Sequence, residues 1–292
     1  MTPASTTVLE RERARIYVRE IGSGRPIVIL HGGPDFNHDY LVPELDGLAD
    51  IGRLVYYDQR GRGRSYAGEG PDDVSLESEM DDLDRVREWT GAESVVLLGH
   101  SWGALLALEY AIRFPAHVWR LVLINAAPAS HSDLLALRQH LDEIRGPELV
   151  GQMRGIRDGA AYRVGDLGAD AAFYRLHFRG AVRRPEHLEQ IIARLRLGFT
   201  PDAIVAARAI EERLYEETWL RESYDLRPAL SRLRIPTLAL HGDHDLIPIE
   251  IARHIADAIP TGELRTLRDC GHFAYLEQPE AVQSAVAQLF GD

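Results

Sequence analysis

The pentapeptide Gly99-His100-Ser101-Trp102-Gly103 follows a short apolar run, Val95 to Leu98, and precedes a stretch with helical spacing. A hydroxyl at the apex of so tight a strand-to-helix turn is held clear of the chain, where it can act as a nucleophile. Small flanking residues are needed because side chains there would strike the neighbouring strand and helix. The helix that follows offers the backbone N–H of Trp102 and a partial positive charge where an oxyanion would develop. The same string elsewhere makes an N-cap serine in a glycine-rich turn, but the strand before it and the helix after it favour catalysis. A serine needs a base, and the base needs an acid that fixes its tautomer. Asp245, in Gly242-Asp243-His244-Asp245, follows one predicted strand, and His272, in Cys270-Gly271-His272-Phe273, follows the next. Both are expected at the same carboxyl edge as Ser101. Asp243 is a second candidate for the acid, with a turn-forming side chain as its plainer role. His31-Gly32-Gly33-Pro34 follows the run Ile27 to Leu30, and this turn can bring a second oxyanion donor to the elbow, the amide of Gly33 or of Gly32. A metal reading of His241, Asp243, His244 and Asp245 is disfavoured, because alternate residues at a strand end point in opposite directions.

These groups need a scaffold, and the first half of the chain supplies its pattern. Ile27 to Leu30, Leu54 to Tyr57, Val95 to Leu98 and Leu121 to Ile124 are continuous apolar runs of the kind buried on both faces of a parallel sheet. Arg15 to Ile21 predicts an additional edge strand. Leu76 to Trp89 and Trp102 to Phe114 have the length and spacing of crossover helices. From Pro128 to about Leu230 the β-branched runs cease and amphipathic stretches such as Glu186 to Leu197 and Pro201 to Tyr215 take over. Fifteen arginines there face sixteen acids, so most of the negative charge lies elsewhere. Strand and helix signals resume with Ile235 to Leu240, Ile249 to Ile259, Leu264 to Leu267 and Pro279 to Phe290. Strands alternating with helices predict an α/β fold, with a mostly parallel sheet and helices on both faces. Residues 1–127 and 231–292 are read as its core, and 128–230 as an inserted helical cap.

The 292 residues suffice for one large domain, which buries roughly 75% of its unfolded surface. All thirty-three basic residues are arginine, which excludes a lysine Schiff base, pyridoxal-phosphate attachment and a phosphate-loop lysine. A net charge of −12 argues against a nucleic-acid partner and for a small-molecule or short peptide substrate. One cysteine, Cys270, allows no intrachain disulfide and suggests a reducing compartment. Met1 to Arg15 runs into Glu10, Arg11, Glu12 and Arg13 without an apolar stretch, so a cytoplasmic protein with neither secretory signal nor membrane contact is expected. The arginines of Arg60 to Ser65 are read as scaffold cations paired with Asp58 or other acids rather than as an anion site.

Together His31-Gly32-Gly33-Pro34, Asp58-Gln59-Arg60-Gly61-Arg62-Gly63-Arg64-Ser65, the elbow with Trp102 after the serine, and Gly242 to Pro248 followed by Gly271-His272 resemble the α/β-hydrolase superfamily, and within it the proline iminopeptidase-like group. The order Ser, Asp, His agrees with that superfamily. The resemblance covers about residues 15–127 and 230–292. It implies Ser101 as nucleophile, His272 as base, Asp245 as its orienting acid, Gly33 and Trp102 as oxyanion donors, an acyl-enzyme intermediate and no cofactor. It departs at Asp35, where the family pattern has a further glycine.

An aminopeptidase releasing N-terminal proline is the leading expectation from this resemblance. A carboxylesterase or lactonase acting on small acyl substrates is the alternative within the class. A non-catalytic ligand receptor that keeps the pocket is the alternative of another class. Serine at 101, where a dehalogenase or epoxide hydrolase would carry aspartate, disfavours an alkyl-enzyme. A peptidase must also meet a substrate ammonium with a carboxylate. Asp35 on the scaffold and Glu211, Glu212, Glu216 and Glu217 in the cap are the candidates, the plainer role of the four glutamates being a solvated helix face that pairs with Arg208 and Arg213.

Overall fold

The computed structural model describes residues 3–11, 14–68 and 70–291. Glu12 and Arg13 of the charged N-terminal run lie outside the described residues. Eight strands form one sheet: β1 (Ser5–Arg11), β2 (Ala14–Ile21), β3 (Pro26–Leu30), β4 (Arg53–Tyr57), β5 (Val95–His100), β6 (Val118–Ile124), β7 (Thr237–Gly242) and β8 (Gly262–Leu267). Their order is β1-β2-β4-β3-β5-β6-β7-β8. The pairs β1–β2 and β2–β4 are antiparallel, and the rest are parallel. The predicted strand over Arg15 to Ile21 is present, but it is not an edge. Ser5–Arg11 pairs outside it and takes that place, a strand whose sequence, STTVLER, lacks an apolar run because it borders only one neighbour.

Along the central strands successive side chains feed two separate cores, as the two-residue period of a strand requires. Val28 and Leu30 pack with α1 (Leu76–Thr90) and α2 (Trp102–Arg113), while Ile27 and Ile29 pack on the opposite face with Val282, Ala285 and Val286 of α11 (Pro279–Gly291). Ser75 caps α1 in a reciprocal capping box with Ser78, which sets where that crossover helix begins. Between β6 and β7 the described residues form helices without a strand: α3 (His131–Arg157, interrupted at Gly146), α4 (Ala160–Arg163), α5 (Leu167–His177), α6 (Pro185–Leu195), α7 (Pro201–Glu217) and α8 (Arg227–Leu230). The chain then adds α9 (Ile249–Ala258) and α10 (Ala274–Glu277) around the last two strands. No described helix is long and apolar enough to cross a membrane.

The Arg60 to Ser65 loop is scaffold. Arg60 makes a two-pronged pair with Asp82, Arg62 meets Glu79 at 2.7 Å in the interior, and Arg64 reaches Asp39 at 2.9 Å.

Candidate active site

Ser101 ends β5 and begins α2 with φ 55° and ψ −117°, a conformation that L-residues adopt only where the surroundings enforce it. Two contacts enforce it here. A Cβ on Gly99 would lie 2.3 Å from the Gly103 carbonyl oxygen, and one on Gly103 would lie 2.1 Å from that of Leu30. Strand, helix and β3 therefore close around the turn only with glycine at both positions. The Ser101 amide donates to Ile124 at 3.0 Å, which ties the elbow to β6. The amide of Trp102, at the first position of α2, has no partner within the helix and is available to an oxyanion.

Asp245 and His272 leave the ends of β7 and β8 and meet with Nδ1 of His272 2.8 Å from Oδ1 of Asp245. A carboxylate only accepts, so Nδ1 carries a proton, and in the neutral ring the lone pair is on Nε2. Asp245 is fully ionised there. Burial alone would raise its pKa, but the His272 and His241 rings and the hydrogen bonds from His272 and the Ile247 amide outweigh it and hold the carboxyl at about 2. Asn125, at the end of β6 with φ 49°, donates to the other oxygen at 2.7 Å and to the Gly271 carbonyl at 3.1 Å. Nothing in the sequence marks Asn125 except its place, an asparagine directly after a strand at the carboxyl edge. Asp243 turns away to His244 at 2.7 Å and to the Cys270 amide, which is the turn-forming role. His241 donates through Nε2 to the Ile247 carbonyl. Among the described residues no group of three potential ligands converges as a metal site.

The Gly32 amide donates to the Tyr40 hydroxyl at 2.6 Å, so it is already committed. Of the two glycine amides considered as oxyanion donors, Gly33 is the one left, and its φ of 120° suits a residue without a Cβ. The Cys270 thiol is buried, and burial together with neighbouring carboxylates pushes it up to about 12, so it is inert.

Ser101, His272 and Gly33 open into a cavity of about 530 Å³ whose far side is built by the helices between β6 and β7. Asp35, Glu211 and Glu212 line it. Glu216 does not: one turn beyond Glu212, it is exposed and outside the lining, which corrects its place among the substrate contacts. Glu217 also points elsewhere and accepts the Leu76 amide at the start of α1. Asp35 is buried. Its Oδ2 accepts from the Tyr174 hydroxyl at 2.7 Å and from Arg196, while its Oδ1 has no partner. Arg196 also pairs with Asp170, which in turn pairs with Arg208. The Glu211 carboxyl accepts the Tyr215 hydroxyl at 2.8 Å, and burial with the facing Asp35 charge raises its pKa to about 8. The arrangement places a nucleophile-type hydroxyl, an imidazole with a free Nε2 and two facing carboxyls around one chamber.

A family model for the alpha/beta hydrolase fold matches residues 25–279. The proline iminopeptidase of Saccharolobus solfataricus is 26% identical over 92% of this chain and 85% of its own. Among solved structures, the proline iminopeptidase of Mycobacterium smegmatis superposes with a TM-score of 0.71 at 23% identity, covering 98% of both chains. Est816, described as an N-acyl homoserine lactone degrading enzyme, superposes with a TM-score of 0.70 at 24% identity over 97% of this chain and 99% of its own.

Proposed function

Because the chain belongs to the α/β-hydrolase-fold family, a hydrolase of the proline iminopeptidase-like group, we propose that it is a cytoplasmic serine aminopeptidase that releases N-terminal proline from a short peptide or small amide. Ser101 attacks the carbonyl as His272 Nε2 takes its proton, and Asp245 holds the imidazole tautomer and the imidazolium that forms. The Gly33 and Trp102 amides hold the oxyanion. His272 returns the proton to the leaving amine, and water then resolves the acyl-enzyme by the same base. Residues 128–230 act as the cap and residues 1–127 and 231–292 as the core.

The observation that carries the peptidase reading is the pair of carboxyls, Asp35 with an unpartnered Oδ1 and Glu211 with a raised pKa, in the chamber of Ser101. A substrate ammonium supplies what both lack. Glu212, which lines the same wall, adds to the negative potential. The second reading, an esterase or lactonase, is favoured by the Arg196 partner that Asp35 already has.

The two readings separate by pH. Below about 8 the Glu211 carboxyl holds its proton, so binding an ammonium as an ion pair must expel that proton, and affinity rises with pH. Above about 8 the substrate amine, with its own pKa of about 7.7–8.0, loses its charge and affinity falls again. KM for a prolyl anilide should pass through a minimum near pH 8, whereas KM for an uncharged ester stays flat. Glu211→Gln should raise the anilide KM about tenfold and abolish the rise of affinity with pH below the minimum. Cleavage of an N-acetylated prolyl anilide as fast as the free amine would rule out the aminopeptidase and leave the esterase.

A further inference from the structure

Tyr40 and His100 take no part in the chemistry above, yet both are 1% exposed and both border the cavity. We propose that they are positioning residues: a one-directional hydrogen-bond chain, from the Gly32 amide through the Tyr40 hydroxyl and the His100 ring to the His272 carbonyl, registers the oxyanion loop against the loop that carries the base. This inference rests on the roles proposed for Ser101, His272 and Gly33, and on no particular substrate.

The chain consists of three short bonds. The Gly32 amide lies 2.6 Å from the Tyr40 hydroxyl, that hydroxyl lies 2.8 Å from Nδ1 of His100, and Nε2 of His100 lies 2.9 Å from the His272 carbonyl oxygen. Its two ends fix its direction, because an amide N–H only donates and a carbonyl only accepts. Nε2 must therefore carry a proton toward His272. Burial and the neighbouring His272 hold the ring neutral, with a pKa pushed down to about 3, so Nδ1 is bare. The Tyr40 proton goes to Nδ1, and the hydroxyl lone pair takes the Gly32 N–H. The reverse arrangement would set a bare Nε2 against a carbonyl lone pair.

The consequence reaches the oxyanion donor. The Gly32 carbonyl accepts from Nδ1 of His31 at 2.9 Å, and Nε2 of His31 accepts the Gln59 amide at 3.0 Å. The carbonyl of Gly32 and the N–H of Gly33 belong to one planar peptide, so orienting the first orients the second. Tyr40 holds one end of residue 32 and His31 the other. Because the same chain ends on His272 itself, a displacement of either loop stretches a bond shared with the other. An error of about 1 Å in such a register costs roughly 10²-fold in rate.

Turnover of p-nitrophenyl acetate tests the chain, since this ester needs no ammonium site. Tyr40→Phe and His100→Leu should each lower kcat about 10²-fold with KM changed less than about threefold. The double variant should be no worse than the poorer single one, because both cut the same chain. His100→Gln should recover most of the loss, since an amide offers an acceptor to Tyr40 and a donor to His272. A Tyr40→Phe protein with near-normal kcat, a loss confined to KM, additive losses in the double variant, or a glutamine variant as impaired as the leucine one would each overturn the proposal. Should His100→Leu fail to fold, the Phe and Gln variants, which keep the volume, still decide it. Ser101→Ala is the control for the underlying reading: turnover persisting there refutes the roles of the elbow rather than the chain.

Discussion

The floor and the roof of the cavity are held in place by different forces. On the floor, Ser101, Gly33 and His272 stand on loops at strand ends, fixed by backbone contacts (the Ser101 amide on Ile124, Gly99 and Gly103 in close contact, the His272 amide on Ala181) and by the uncharged hydrogen bonds of Tyr40 and His100. On the roof, position rests on side-chain charge. Arg196 joins Asp35 of the scaffold to Asp170 of α5, and Arg208 of α7 closes the network on Asp170. Removing one member of a buried ion network leaves an uncompensated charge, a cost that uncharged hydrogen bonds do not carry. On the proposed function the floor would set the reaction class, and the roof could vary with the substrate.

Substitutions can break that contrast. The largest effect belongs to the floor: Ser101→Ala should cost about 10⁶-fold in kcat, with its melting temperature near that of the parent protein, and intact mass after fluorophosphonate treatment should show the adduct on Ser101 only in the unsubstituted chain. A labelled alanine variant would contradict the assignment. Asp245→Asn should cost up to about 10⁴-fold in kcat by favouring the wrong imidazole tautomer. Asp243→Asn, whose carboxylate serves only a turn, should stay within a few-fold, and the opposite ranking would exchange their roles. On the roof the currency is stability. Arg196→Met leaves Asp35 and Asp170 buried without their shared cation, so chemical denaturation should read a loss of about 3–5 kcal/mol. Turnover of an uncharged ester by the folded fraction should change little. A stable Arg196→Met protein with impaired ester turnover would show that the two walls are not separate in function.

The same contrast explains what could be read in the sequence. The elbow was legible because everything that defines it, the apolar run Val95 to Leu98, the two glycines and the helix from Trp102, is local. Asp245 and His272 were legible because each follows a strand that must end at the same edge of a parallel sheet. The roof was not, since Asp35 finds its partners Tyr174 and Arg196 139 and 161 residues away, and no local pattern announces that meeting. Within α7 the four glutamates look alike in sequence, but Glu211 and Glu212 border the chamber, whereas Glu216, one turn beyond Glu212, lies outside it and is exposed. Ser5–Arg11 is silent in the sequence for another reason: a polar strand on a sheet border has too little buried surface to leave a hydrophobic signature.

The loop bearing His272 is joined to the helical segment by more than the chain. Its amide donates to the Ala181 carbonyl at 2.7 Å, and Glu277 of α10 accepts both the Gly271 amide and the Arg183 amide. In evolutionary and engineering terms, the segment between β6 and β7 reads as an insertion in the sequence, yet by bonding it supports the loop of the proposed base. Exchanging it for another helical segment without residues 181–183 would remove the carbonyl that holds the proposed base. A graft that keeps residues 181–183 in register should preserve the proposed reaction while the rest of the roof is redrawn, and so new specificity is best sought in α3, α5 and α7.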